Sequence, residues 1–256
     1  MNAQLGPLGG AGVLITRPAR QAQAFAQQVS VIGGAPVVFP AIVILPPDDP
    51  LPLRRAQREL AKYHYAVFVS ANAVEFGVPD PRRWPAHLVA FAPGPGTAEA
   101  LFAVGIADVR VPRERQDSEG LLALPELAAP AGKRVLVFRG DGGRELLGDT
   151  LHARGATVDY VTCYRRARPT DAAGLIAAFN EGRIHAVTVT ASEGVDNLWS
   201  LLDADTRARW SRVPTFAPHE RIAARAVTLG LHAVQTPPGD AGLLAGLLEW
   251  FSTHPR

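Results

Sequence analysis

Cysteine is almost missing from this chain: Cys163 is the only one in 256 residues. A lone cysteine excludes an internal disulfide framework and a cysteine-rich metal site, and it fits a reducing compartment. No motif around it resembles an activated thiol, so it reads as a small strand residue. An excess of one charge is missing too, since 26 Lys and Arg face 24 Asp and Glu for a formal net charge of +2. Such a balance gives no electrostatic footprint for nucleic acid or a membrane surface. No apolar run approaches the ~18 residues of a membrane span, and the opening Met1-Asn-Ala-Gln-Leu-Gly-Pro7 has no basic segment followed by an apolar stretch. A cytoplasmic protein is the expectation. His64, His87, His152, His185, His219, His232 and His254 show no metal-ligand spacing with acidic or cysteine partners, and read as surface or loop histidines.

What the chain does have is a repeat. Residues 92–112, APGPGTAEALFAVGIADVRVP, lie without a gap over residues 217–237, APHERIAARAVTLGLHAVQTP. Tyr65-Ala-Val-Phe-Val-Ser-Ala-Asn recurs as His185-Ala-Val-Thr-Val-Thr-Ala-Ser, and Val13-Leu-Ile-Thr-Arg17 as Val135-Leu-Val-Phe-Arg139. Two copies, each of ordinary domain size, imply two lobes with a cleft between related halves. With 47% hydrophobic residues the chain can fill two cores.

Each copy alternates short β-branched runs with helix-length segments, the pattern of parallel sheets covered by helices. The runs predict strands at 12–16, 36–44, 65–69, 88–92 and 108–111, then at 134–138, 157–164, 185–190, 212–217 and 233–236. Helical periodicity is clearest over 21–31, 53–62, 97–104, 144–153, 175–179, 221–229 and 243–251. Asp117-Ser118, Thr170-Asp171, Ser192 and Asp240 are placed as helix caps. The proline-rich stretch Leu45–Pro52 breaks the first copy internally, so the spatial boundary need not follow the repeat.

In open parallel sheets ligands bind beyond the carboxyl ends of the strands. At those positions stand Thr16-Arg17-Pro18, Ser70-Ala-Asn72, Pro93-Gly-Pro-Gly-Thr97, Arg139-Gly-Asp-Gly-Gly143, Thr190-Ala-Ser192 and Pro218-His-Glu-Arg221. Loops of this kind present free N–H groups and the positive end of a helix dipole, which suits carboxylates or phosphates. Each also suits plain helix capping; recurrence in both copies favours a shared anion-binding cleft. Glu99 sits where a dinucleotide fingerprint needs its third glycine, and Arg139–Arg144 lacks the Gly-Lys-Ser/Thr ending of a P-loop. Neither NAD nor ATP is expected, nor any metal. No serine, histidine and acid combination stands out either. What remains is a binding protein, or an enzyme that holds a reactive substrate in shape.

Gly155-Ala-Thr-Val-Asp-Tyr-Val-Thr-Cys-Tyr-Arg-Arg166, after Arg139-Gly-Asp-Gly-Gly-Arg-Glu-Leu-Leu147, resembles the central signature of the uroporphyrinogen-III synthase family. Leu14-Ile-Thr-Arg-Pro18, Thr190-Ala-Ser-Glu-Gly-Val-Asp-Asn-Leu198 and Pro218-His-Glu-Arg-Ile-Ala223 match its pattern in the same order, over roughly residues 12 to 250. The resemblance implies an α/β fold of two similar parallel-sheet lobes from an internal duplication, with the N-terminal β-α unit exchanged. One lobe would comprise 1–34 with 168–256 and the other 45–156, joined by antiparallel connector strands 35–44 and 157–167 that permit relative motion.

It also implies a reaction: hydroxymethylbilane closes to uroporphyrinogen III, with loss of water and inversion of ring D through a spiro intermediate, without cofactor. Loss of the hydroxyl leaves an azafulvene cation stabilised by the pyrrole nitrogen, so mild acid assistance and control of shape suffice. Tyr164 matches the family's tyrosine near the connector's end and is the implied donor to that hydroxyl, since a phenol is protonated at neutral pH. Its plain reading is a strand tyrosine packed at the hinge. Ser70, Thr97, Thr190 and Ser192 match positions that contact substrate carboxylates, as do the backbone amides around Gly96, Ala191 and Ile222. Arg17, Arg139 and Arg144 are charged contacts in this reading, with a solvated surface role as the alternative. Ala191 and Ala71-Asn72 depart from the commoner family residues, which puts side-chain contacts there in doubt. The implied enzyme is a monomer, with at most transient contact to the preceding pathway enzyme; the alternative is a bilobal binding protein for a polyanionic small molecule.

Overall fold

The computed structural model describes residues 6–78, 80–143 and 145–254. Strands β1 (Gly12–Ile15), β2 (Ala35–Val38), β3 (Val43–Leu45) and β4 (Tyr65–Phe68) come first. They are followed by β5 (Val89–Phe91), β6 (Val109–Arg110), β7 (Arg134–Gly140) and β8 (Thr157–Ala167), then β9 (Ala186–Thr188), β10 (Pro214–Ala217) and β11 (His232–Gln235). The helices of the first half are α1 (Ala19–Val31), α2 (Leu51–Arg58), α3 (Ala71–Gly77), α4 (Pro95–Ala103), α5 (Ser118–Leu122) and α6 (Pro125–Ala128). Those of the second half are α7 (Leu146–Ala153), α8 (Ala173–Asn180), α9 (Ser192–Leu201), α10 (Ala204–Trp210), α11 (Glu220–Thr228) and α12 (Gly239–Thr253).

The chain divides into two compact units, Met1–Val43 with Ala167–Arg256, and Ile44–Arg166. In the first, the strands lie in the order β11-β10-β9-β1-β2 and every neighbouring pair is parallel. In the second the order is β3-β8-β7-β4-β5-β6, with parallel pairing from β8 through β6. Both sheets need apolar residues on both faces, as covered parallel sheets do. β1 is accordingly buried at all four positions, and β7 from Val135 to Phe138.

Residues 35–38 pair with β1 and residues 157–164 with β7, which satisfies their backbone groups. The strand expected over 36–44 is interrupted at 39–42, where Pro40 has no N–H to give to a ladder. Among the expected caps, Asp117 accepts from Gly120 N–H at 2.8 Å and Asp171 from Ala173 N–H at 2.8 Å. Ser192 and Asp240 are not caps: they lie inside the first turns of α9 and α12, after Ala191 and Pro238.

Cys163 is fully buried in the second unit's core, and its thiol donates to the Arg139 carbonyl at 3.2 Å. Burial pushes this thiol from an ordinary 9.0 up to about 12. Thiol reagents at pH 8 are therefore expected to leave the native protein unlabelled and to modify one site after denaturation. Fast labelling of the folded chain would contradict this burial. Because the shift is upward, its stabilising contribution is complete below pH 9 and fades as pH rises toward 12. Tyr63, raised to about 12 by burial and by its 2.9 Å hydrogen bond to Asp159, adds to the same alkaline loss.

Candidate functional site

Parallel pairing brings the carboxyl ends of β4, β5, β7 and β8 to one edge of the second unit's sheet. Ser70, Gly96, Thr97, Arg139 and Tyr164 all stand at that edge. Tyr164 reaches it through an irregularity in β8. Arg139 is registered with Thr162 but Gly140 with Tyr164, so Cys163 is one residue more than β7 can match. Strict alternation would put Tyr164 on the face of Val158 and Tyr160, which pack in one core cluster. The bulge turns it instead onto the opposite face with Val161 and Cys163, where Ala73, Val74 and Phe138 pack.

On that face the Tyr164 ring is 3% exposed and 6.4 Å from the Phe76 ring. Its hydroxyl lies 3.2 Å from Ser70 Oγ. Ser70 is half-buried and caps α3, its Oγ accepting from Ala73 N–H at 3.2 Å. Gly140 is what lets the ring in: a Cβ there would stand 2.8 Å from the ring carbons of Tyr164. Sequence reasoning valued this glycine as an N–H donor and missed its steric role.

α4 begins at Pro95, after Gly94 in extended backbone, so Gly96 and Thr97 lie in its first turn. Amides of a first turn lack intrahelical acceptors, which leaves them available to an anion. Gly96 is exposed with open space around its Cα, whereas Thr97 is 7% exposed. Arg139 is less available than its position suggests. It forms an ion pair with Glu145 at 2.9 Å and stacks over the Tyr160 ring at 4.1 Å. Arg144 lies outside the described residues.

The first unit repeats the arrangement with β1, β9 and β10 side by side. Arg17 follows β1, but it is committed to Asp240 at 2.6 Å and lies over the Phe25 ring at 4.8 Å. Thr190, Ala191 and Ser192 connect β9 to α9, and all three are half-buried. Ser192 Oγ is buried and has no hydrogen-bond partner among the described residues, a hydroxyl that a ligand oxygen could satisfy. Ile222 is buried, and its N–H already donates to the His219 carbonyl at 3.0 Å.

Among the described residues no group of three or more His, Cys, Asp or Glu is arranged to hold a metal ion, and no helix is long and apolar enough to cross a membrane.

The family model described as "Uroporphyrinogen-III synthase HemD" matches residues 23–244. This chain belongs to the uroporphyrinogen-III synthase family. It is 37% identical over 224 residues to the uroporphyrinogen-III synthase of Salmonella typhimurium, covering 85% of this chain and 91% of that protein. The Escherichia coli enzyme of the same name is 35% identical with the same coverage. In fold the chain is similar to uroporphyrinogen III synthase structures from Helicobacter pylori (TM-score 0.59, 13% identity) and from a Thermus thermophilus mutant (TM-score 0.55, 20% identity). Each likeness covers 95% of this chain and 99% of the other.

Thr97→Ala and Ser192→Ala are each expected to weaken kcat/KM for isomer III formation by an equivalent of about 0.5–1.5 kcal/mol, the net worth of one hydrogen bond. Complete loss in a folded variant would expose a catalytic role for that hydroxyl.

Proposed function

We propose that this protein closes hydroxymethylbilane to uroporphyrinogen III, expelling water and inverting ring D through a spiro intermediate. The observation that carries this reading is the family match over residues 23–244 together with relatives of that name at 35–37% identity. The local geometry supports it: a buried phenol, Tyr164, stands at the same strand edge of the second unit as the first turn of α4, whose amides suit carboxylates.

Tyr164 supplies the proton that lets the substrate hydroxyl leave as water, and the pyrrole nitrogen stabilises the cation that forms. Thr97, Thr190, Ser192 and the amides at Gly96 and Ala191 hold side-chain carboxylates and so fix the conformation in which ring D is attacked at its substituted carbon. Positioning of this kind can supply a large part of a rate enhancement without a strong acid or base. The protein works as a cytoplasmic monomer. The two sheets arose by duplication, a reading supported by their matching order: β1 and β2 sit beside β9 to β11 as β7 and β8 sit beside β4 to β6.

Supplying hydroxymethylbilane and measuring the ratio of isomer III to isomer I tests the reaction. Isomer III should predominate; only isomer I, the product of spontaneous closure, would defeat the reading. Turnover is further expected to survive exhaustive chelation and to need neither NAD nor ATP. Loss with EDTA and recovery with one specific ion would show a metal dependence that the residues do not suggest.

A further inference from the structure

The Tyr164 hydroxyl is not the outermost group at its own edge. Tyr164 is 3% exposed, and its phenolic oxygen has one hydrogen-bond partner among the described residues, Ser70 Oγ at 3.2 Å. A buried phenol proton needs an acceptor, and that partner is the acceptor at hand. Ser70 Oγ also accepts from Ala73 N–H at 3.2 Å. A hydroxyl has two lone pairs and one hydrogen. Where the phenol is the donor of this bond, both Ser70 lone pairs are occupied and its hydrogen is left for a third group; Ser70 is half-buried where Tyr164 is buried.

We propose that Ser70 is the catalytic group that meets the leaving hydroxyl, with Tyr164 behind it as the proton source. This rests on the reaction proposed above. As the C–O bond breaks, its electron pair leaves with the oxygen, which takes the proton of Ser70 and departs as water. Ser70 Oγ takes the proton of Tyr164 in the same motion, so the serine is restored and the charge resides on the phenolate. The azafulvene cation and the phenolate then form a neutral pair. The proton released when the closed macrocycle regains its pyrrole returns to Tyr164 through Ser70, and no outside acid or base is consumed. The capping bond from Ala73 holds Ser70 Oγ in line for both transfers, and the bulge at Cys163 brings the phenol within reach of it.

The test is a double-mutant cycle on kcat and KM for isomer III formation from hydroxymethylbilane, with Ser70→Ala, Tyr164→Phe and the double variant. Each single change should lower kcat about tenfold or more with KM within about twofold, and the double variant should be no slower than the slower single. Ser70→Thr, which keeps the hydroxyl, should retain more turnover than Ser70→Ala. Ser70→Gly, which preserves most of the capping, should fold and be as slow as Ser70→Ala, separating loss of the hydroxyl from loss of the helix cap. Full kcat in Ser70→Ala beside a slow Tyr164→Phe would overturn the relay and make Tyr164 the direct donor. A raised KM with unchanged kcat in Ser70→Ala would overturn it in favour of a carboxylate contact, and multiplied losses in the double variant would mean independent roles. Absence of isomer III from the unaltered protein would instead sink the reaction on which the relay rests.

Discussion

Tyr164→Phe is expected to lower turnover to isomer III by about tenfold or more, the low end of what a positioned general acid contributes. The change is small in structural terms. Phenylalanine keeps the ring that packs against α3, and it removes one hydroxyl whose single partner among the described residues is Ser70. Its cost to stability should therefore be about 1 kcal/mol, the net worth of one hydrogen bond. A normal unfolding midpoint with a large fall in kcat is the expected pair of results. An unchanged rate of isomer III formation would remove Tyr164 from the mechanism.

Gly12→Ala should act on the other unit, and on stability alone. A Cβ at Gly12 would stand 1.6 Å from the Arg183 carbonyl oxygen and 2.8 Å from the carbon that bears it. Neither backbone is free to move aside, because Gly12 N–H donates to His185 Nδ1 at 2.9 Å and the Gly12 carbonyl accepts from His185 N–H at 2.8 Å. Relief requires breaking the start of the pairing between β1 and β9. A loss of about 3 kcal/mol or more is expected, above ordinary overpacking, and it would be read as a lower urea midpoint. Gly174→Ala serves as the control. Gly174 lies in α8 with nothing within 4 Å of an added Cβ, so alanine there should be neutral or stabilising by up to about 1 kcal/mol. Equal midpoints for the two variants would mean that β1 does not approach residue 183 so closely.

Strands were legible in the sequence wherever β-branched residues cluster, because a parallel sheet covered on both faces demands continuous apolar runs. Val13-Leu-Ile and Val135-Leu-Val-Phe are of this kind. Helix α9 was legible only at its start, since Ser-Glu-Gly-Val-Asp-Asn has weak helical propensity; burial of Val195 and Leu198 supplies what the local sequence lacks. The arginines were the least legible part of the site. Arg17 and Arg139 occupy ligand-facing loops, yet their charges are answered by Asp240 and Glu145, and the first of these had been taken for a helix cap. Position along a strand reveals which edge a side chain reaches but not which partner it finds there. The bulge at Cys163 was hidden for a related reason. Period-two reading of Val158 to Tyr164 assigns the tyrosine to the wrong face, and only the register with β7 corrects it.

The position of β1 also bears on how the protein is made. β1 lies between β9 and β2 in its sheet, yet Gly12 and His185 are 173 residues apart. At synthesis rates of about 5–20 residues per second, β1 leaves the ribosome roughly 9–35 s before the strand it must pair with. Throughout that interval the fully apolar segment Gly12–Ile15 has an open edge, the kind of surface to which other nascent chains adhere. Residues 44–166 emerge as one continuous stretch and can complete their own sheet meanwhile. β1 is thus synthesised long before the strand that encloses it, and the burden on chaperones falls on residues 12–38 rather than on the larger segment that follows.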